Sequence, residues 1–326
     1  MAKLGKRIWR KVKNTYRTFR SDCKFSVYLG ILRTLDELGG RIGLKRASAW
    51  AHERKDRWIQ EYLKRDLFSV IEQYRNIEDV GTPVKNGPIW VCWWTGEESA
   101  PHLVKQCISS IRKHAGCHPV YLITKANYES YLKIPTHILD KLRTGQICIA
   151  NFSDYLRFSL LSKYGGLWLD ATIYCSKQIP EEIFQMPVFT CKSPEKNCGY
   201  ISRYRWTSFC FGGFQDGLLF RFMRDAFDAY WGKNKTAIDY LLVDYLIEMA
   251  MSQIHAVNNL LCSVPENNLR RDDLQAAMNA ALPESNFHHL IQEDTTLYKL
   301  SWRETYLEQT KDGQPTVYDY FLKMTV

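Results

Sequence analysis

Three side chains near the middle of the chain have the types and spacing to do chemistry together. In Ser153-Asp154-Tyr155-Leu156-Arg157 a carboxylate and a guanidinium stand three residues apart, so on a helix they leave the same face of one turn. A double glycine, Gly165-Gly166, then turns the chain into a short apolar run that ends at Asp170. Carboxylates accept hydrogen bonds and a guanidinium donates them from a planar fork, so two acids and one arginine in one place can hold a polar, charged ligand. Taken singly, each part says little. An Asp/Arg helical pair is most often a surface ion pair worth under about 1 kcal/mol, and an acid at a strand end is commonly a turn or cap residue. The joint arrangement carries the expectation that these elements meet at the mouth of a sheet.

The elements that must position them follow from periodicity. Tyr155, Phe158, Leu161 and Ser162 share one side of a helix, Leu156 and Leu160 widen its buried face, and the double glycine ends it. Residues 167–171 read as the strand that follows. Upstream, residues 89–94 form an apolar run bounded by turns, residues 101–113 have helical spacing through Leu103, Cys107, Ile108 and Ile111, and residues 120–124 read as a second strand. Strand, helix and strand in this order predict a parallel sheet with a crossover, the opening of a nucleotide-binding α/β domain. Such sheets take their ligands at the carboxyl ends of the strands. Beyond residue 210 helices dominate, at 217–230 and 238–251, and no internal repeat is present.

Charge divides the chain unevenly. Residues 1–60 hold 16 Lys and Arg against 5 Asp and Glu, a net +11, whereas the remainder holds 28 against 30. A basic arm on a near-neutral body predicts an anionic partner for the arm alone. Leu4, Ile8, Val12, Tyr16 and Phe19 recur every three or four residues, with Lys3, Lys6, Arg7, Arg10, Lys11, Lys13 and Arg17 on the remainder of the helix, and Trp9 suits headgroup depth. The alternative is a helix packed on the body with a solvated basic face. Residues 47–74 read as a second, charged helix, and the Gly81-Thr82-Pro83 and Asn86-Gly87-Pro88 breakers set the expected domain boundary, with an arm over 1–80 and a body over 81–326.

The ten cysteines include no C-x-x-C pair, and several lie in apolar runs, which predicts buried thiols in a reducing compartment rather than disulfides or a zinc site. No stretch reaches the roughly 18 to 20 apolar residues of a spanning helix, and the apolar segment at 25–32 is too brief for a secretory signal. The expectation is a cytoplasmic protein held peripherally on the inner face of the cell membrane.

The run from Ser153 through Lys163-Tyr164-Gly165-Gly166-Leu167-Trp168-Leu169-Asp170-Ala171-Thr172 resembles the central segment of DXD glycosyltransferases. It is closer still to the capsular polysaccharide synthesis protein family, whose start resembles Ile89-Trp90-Val91-Cys92-Trp93-Trp94-Thr95-Gly96 with Ala100-Pro101 and the helix through Cys107-Ile108-Ser109-Ser110-Ile111. Its later portion resembles Tyr230-Trp231, Ile238-Asp239-Tyr240 and Lys299-Leu300. The resemblance covers roughly residues 88–302 and leaves the arm outside.

What the resemblance implies is a GT-A, Rossmann-like α/β fold with a helical amino-terminal arm and a helix-rich carboxyl-terminal part. The activity implied is transfer of a sugar from a nucleotide-diphosphate donor to a bacterial capsular or other cell-surface polysaccharide, with retention at the anomeric carbon. Asp154, Arg157 and Asp170 take the catalytic positions. Trp93, Trp94, Thr95, Gly165, Gly166 and Thr172 join them around the donor, one tryptophan of the pair stacking on the base because neighbours on a strand face opposite ways. A divalent cation, Mn²⁺ or Mg²⁺, is implied at Asp170, although Thr172 stands where a second acid is usual and a hydroxyl is a poorer ligand for a hard cation. Arg157 or Lys299 could stabilise charge growing on the departing diphosphate. Asp239 and His289 are candidates on the acceptor or phosphate side, with Asp244 read as a solvated helix residue first and an acceptor or base residue second. The partners implied are a nucleotide sugar, a saccharide or lipid-linked saccharide, and an anionic membrane surface met by residues 1–20, with no nucleic acid.

Two rival readings stand beside this one. A nucleic-acid-binding protein would explain the basic arm and leave Asp154, Arg157 and Asp170 without a role. A non-catalytic polysaccharide-assembly subunit on the same fold would explain Thr172.

Overall fold

The computed structural model describes residues 15–196, 199–282, 287–291 and 294–324, with Trp9 and Lys13 besides. Its centre is a five-stranded mixed sheet. Strand β1 (Ile89–Cys92) runs parallel to β2 (Val120–Ile123), with Ile89 opposite Val120, and the helix His102–Lys113 makes the crossover between them. On its other side β1 runs parallel to β3 (Gly166–Leu169). The short strands β5 (Val188–Thr190) and β6 (Cys210–Gly213) complete the sheet antiparallel, in the order β2-β1-β3-β6-β5. A separate two-stranded ribbon pairs β4 (Ile173–Cys175) with β7 (Leu297–Lys299).

Alternation along these strands sorts the apolar residues into two cores, one on each face. Trp90, Trp168 and Phe211 pack together on the helical face, under the helices Ile149–Tyr164, Leu218–Lys233 and Leu242–Gln253. Ile89, Val91, Leu167, Leu169 and Cys210 point the other way, against Val104, Ile108, the β4–β7 ribbon and the carboxyl-terminal helix Val317–Lys323. Strands buried on both faces are the expected consequence of a sheet covered by helices.

The helices of the arm belong to the first of these cores. Leu29 from Val27–Arg41, Ile59 and Leu63 from Lys45–Asp66, and Val70 and Ile71 from Phe68–Tyr74 are buried in it. Tyr74 donates to Asp225 at 2.5 Å and the Gln60 amide donates to the Tyr245 carbonyl at 3.0 Å. The breakers at 81–88 therefore mark a loop in the chain and not a break in packing. The charged helix expected over 47–74 is divided at Leu67, and its two pieces turn against different helices.

The double glycine is required by its surroundings. Gly165 and Gly166 have φ of +63° and +91°, and a Cβ on Gly166 would lie 2.1 Å from the Pro88 carbonyl oxygen. The bend lets β3 lie beside β1 while the indole of Trp90 donates to the Gly165 carbonyl at 3.0 Å.

Candidate functional site

A cleft of about 620 Å³ opens at the carboxyl ends of β1 and β3. Two segments at those ends, Cys92 to Thr95 and Asp170 to Thr172, form its floor, and the first three turns of Ile149–Tyr164 bring Asp154 and Arg157 to its side. Lys299, at the end of β7, reaches it from the ribbon, because Ile173 pairs with Lys299 and Leu300 donates to the Thr172 carbonyl at 2.9 Å.

The polar groups form one connected chain. Arg157 Nη1 donates to Asp154 Oδ1 at 2.7 Å, as the three-residue spacing requires, and Nη2 donates to Asp170 Oδ1 at 3.1 Å. Its guanidinium lies over the Trp168 ring, 5.0 Å from the centroid, and Trp168 Nε1 also donates to Asp170 Oδ1 at 3.0 Å. Lys299 Nζ donates to Asp170 Oδ2 at 2.9 Å and to Thr172 Oγ1 at 2.8 Å.

These contacts set the charge states. Burial raises the Asp154 carboxyl to about 6; the Arg157 charge opposes that rise and the nearby Asp170 adds to it. Burial would also raise Asp170, but the positive charges of Lys299 and Arg157 outweigh it and hold this carboxyl below the usual range. The two acids thus differ: Asp170 is a firm anion, and Asp154 changes charge in mildly acidic solution. Burial and the negative charge of Asp170 together lift the Cys92 thiol to about 12, so it is no nucleophile.

The tryptophans divide as alternation requires. Trp93 packs with the ribbon-side core and meets Trp302 edge to face at 5.6 Å, whereas Trp94 packs with the helical-side core against Tyr128 and Phe152. Both line the cleft. Two buried donors among these residues, Trp93 Nε1 and Arg157 Nε, have no protein acceptor, and a buried donor left unmatched in a cleft is a place for a ligand's oxygen.

Asp170 and Thr172 do not fit a divalent cation. A hard cation needs several free oxygen ligands. Here Arg157 and Trp168 occupy Oδ1 of Asp170, while the Lys299 ammonium spans its Oδ2 and the hydroxyl of Thr172, the two positions where the DXD pattern would place a metal. Elsewhere among the described residues, Cys117, His118 and Glu181 bring ligand atoms within 4.8 Å of one another. They lie beside Pro119, at the amino end of β1 and far from the cleft, and cysteine spacing gave no sign of them.

Several expected residues stand elsewhere. Gly165 and Gly166 do not line the cleft; they lie at the opposite end of β3 from Asp170, roughly 13 Å along the strand, and serve the backbone. Asp239 is also outside the lining. Its Oδ2 accepts from Arg33 at 2.6 Å and its Oδ1 accepts from the Leu241 amide at 2.9 Å, so it holds the loop that carries Tyr240 and Leu241 into the cleft wall. The side chains of His288 and His289 lie outside the described residues. Asp244 is not solvated: it is buried, accepts from Trp206 Nε1 at 2.8 Å, and burial lifts its carboxyl to about 7 with the negative charge of Asp154 contributing. Trp302, exposed at the cleft, escaped the sequence reading because a single aromatic in a loop has no periodicity to betray it, and Tyr240, exposed there too, was read only as part of the Ile238-Asp239-Tyr240 resemblance, with no role of its own.

The family model for capsular polysaccharide synthesis proteins matches residues 42–321. The chain belongs to that family. The match begins inside the arm, so the helices from Lys45 onward are part of the capsular polysaccharide synthesis domain, which extends the roughly 88–302 read from motifs. Among solved structures, a PaToxG glycosyltransferase covers 65% of this chain and 90% of its own at 12% identity, with a TM-score of 0.29, a likeness too distant to speak for the site. No curated protein matches the chain significantly.

Proposed function

We propose that this capsular polysaccharide synthesis protein is a glycosyltransferase. It moves a sugar from a nucleotide-diphosphate donor to a saccharide or lipid-linked saccharide acceptor, with retention at the anomeric carbon. The observation that carries the reading is the chain Asp154, Arg157, Asp170 and Lys299 at the strand ends of a cleft large enough for such a donor.

In this reading the base lies against Trp93 or Trp94, whose faces are the flat apolar surfaces of the cleft. Asp170 and Asp154 accept hydrogen bonds from ribose or sugar hydroxyls. When the glycosidic bond to the diphosphate breaks, negative charge grows on the leaving oxygen, and Arg157 and Lys299, among the cations that line the cleft, stand at its polar floor to meet it. The Lys299 ammonium supplies the positive charge at the position where the fold would otherwise recruit a divalent metal. Acceptors are delivered at an anionic membrane surface that the basic residues 1–20 attend on its cytoplasmic side.

The test is a panel of nucleotide sugars measured by thermal shift with and without Mn²⁺, followed by transfer assays with the donor that binds. A shift from one donor class, unchanged by Mn²⁺, with transfer lost in Asp170→Asn, is the expected result. No shift with any nucleotide sugar, or full turnover by that variant, would remove the assignment.

A further inference from the structure

The helix Val27–Arg41 has an apolar face that stands exposed among the described residues. Val27, Tyr28, Ile31, Leu35, Leu38 and Ile42 recur at three- and four-residue intervals and fall within about 100° of arc, since each residue advances by about 100°. All six are between 42% and 69% exposed. A surface helix ordinarily turns its apolar stripe inward. This one already does so with a different stripe, through Leu29 and Leu32, so the exposed row is a second apolar face and not a misplaced first one. Single exposed apolar residues are ordinary, but a continuous row of this length marks a contact surface.

We propose that this row is a docking face for an anionic lipid surface. The proposal rests on the membrane reading of the arm and relocates its apolar contact from residues 1–20 to residues 27–42. Charge complementarity chooses the occupant. Arg20 and Lys24 before the helix, and Arg41, Lys45 and Arg46 at its end, are exposed at the two ends of the row, within residues 1–60, which carry +11. A second copy of the chain would bring the same positive ends into contact, which like charges oppose. A nucleic acid would satisfy the basic residues and leave the apolar row wet. A bilayer with acidic headgroups satisfies both: the row enters the interface and the basic ends meet phosphate.

The opposite side of the same helix explains why docking there would matter. Arg33 faces inward, donating to Asp22 at 2.9 Å, to Asp239 at 2.6 Å and to the Ile238 carbonyl at 2.9 Å. Asp239 anchors the loop whose next residue, Tyr240, stands in the cleft wall. One rigid helix therefore joins the lipid-facing row to the mouth of the cleft, and a lipid-linked acceptor would be presented to a site held at a fixed height above its membrane.

The experiment is co-sedimentation of the full chain with phosphatidylcholine vesicles, with and without phosphatidylglycerol. Ile31→Ser, Leu35→Ser and Leu38→Ser are combined in one variant, and Arg7→Gln, Arg10→Gln and Lys11→Gln in another. Because the three apolar residues are exposed, the first variant keeps the wild-type melting temperature, which is checked alongside. Wild-type protein is expected to bind the acidic vesicles, and the row variant to bind them at least about tenfold more weakly. Row-variant binding equal to wild type overturns the proposal. So does a wild-type dimer that the row variant converts to monomer with vesicle binding unchanged, which would assign the row to a second copy. Loss of binding in the arm variant alone keeps the earlier membrane reading and removes this one, and failure of the wild type to bind at all removes both. Turnover on a water-soluble acceptor is measured separately and is expected to be unchanged in the row variant, so that failure here is distinct from failure of the glycosyltransferase reading.

Discussion

Lys299 and Asp170 meet at 2.9 Å although 129 residues separate them, and the same ammonium lies 2.8 Å from the hydroxyl of Thr172. In the proposed glycosyltransferase this ammonium is the positive charge at the DXD positions, where the second acid is replaced by Thr172. Replacement of Lys299 by Met is expected to lower turnover by about a hundredfold or more, the scale of losing one charge-stabilising donor, with no rescue by Mn²⁺. Wild-type turnover should survive EDTA. Loss of wild-type turnover in EDTA, restored by Mn²⁺, is the result that would count against this assignment.

Asp170 accepts from Arg157, Trp168 and Lys299 and organises all three. Asp170→Asn keeps the volume and removes the charge, leaving two cations facing a neutral amide. Transfer is expected to fall by at least about a thousandfold, while circular dichroism of the variant matches wild type. The check is steady-state turnover on an established donor and acceptor pair.

Asp154 offers a pH signature. Its carboxyl is raised to about 6, chiefly by burial, so the four-residue polar chain is neutral above that pH and gains one positive charge below it. Asp154→Asn has the charge of the protonated state at every pH. A nucleoside diphosphate should therefore bind this variant several-fold more tightly than wild type at pH 8 and equally at pH 5. Calorimetric titration at the two values decides it; equal affinities at pH 8 would mean that the charge of Asp154 is not felt by the bound diphosphate.

Asp244 makes the corresponding statement about stability. Its carboxyl is raised from 3.8 to about 7, mainly by burial. Between those values the folded protein keeps a proton that the unfolded chain has released, so this contribution to stability is complete below about pH 4 and is lost as the pH rises through 7. Asp244→Asn never carries the charge and still offers Trp206 Nε1 an acceptor. Its melting temperature is expected to match wild type below about pH 4 and to exceed it by several degrees at pH 8. A deficit of the same size at both values would show that the carboxyl's protonation does not matter.

The Arg33 ion pairs can be dissected by a double-mutant cycle. Arg33 neutralises Asp22 and Asp239, both of which are largely shielded from solvent. Arg33→Met strands both acids and is expected to cost about 3 kcal/mol, and adding Asp239→Asn should recover part of that loss. Denaturant unfolding of the four proteins supplies the energies; strict additivity would deny the coupling.

The chemistry in the middle of the chain was legible because it is local. Asp154 and Arg157 share a helical turn, and the double glycine sets the direction of the strand to Asp170, so three residues in one segment meet as their spacing required. The parallel pairing of β1 with β2 followed from strand, helix and strand in the same way. What the sequence concealed depends on distant pairing. Nothing local announces that β6 enters antiparallel beside β3, or that β7 pairs with β4 and so carries Lys299 to Asp170. Asp239 and Asp244 sit five residues apart on what reads as one helix, yet the helix starts only at Leu242; Asp239 is spent on Arg33 and Asp244 is buried under Trp206. Polar residues drawn inward by a partner from another element follow no period, and periodicity was the signal in use.

The antiparallel ribbon also decides how the site can be taken apart. Asp154, Arg157 and Asp170 come from one stretch of chain, but Lys299 is held beside them only by the pairing of β7 with β4. A proteolytic nick that frees β7 would withdraw one of the two cations from Asp170 while leaving Arg157 and the cleft floor in place.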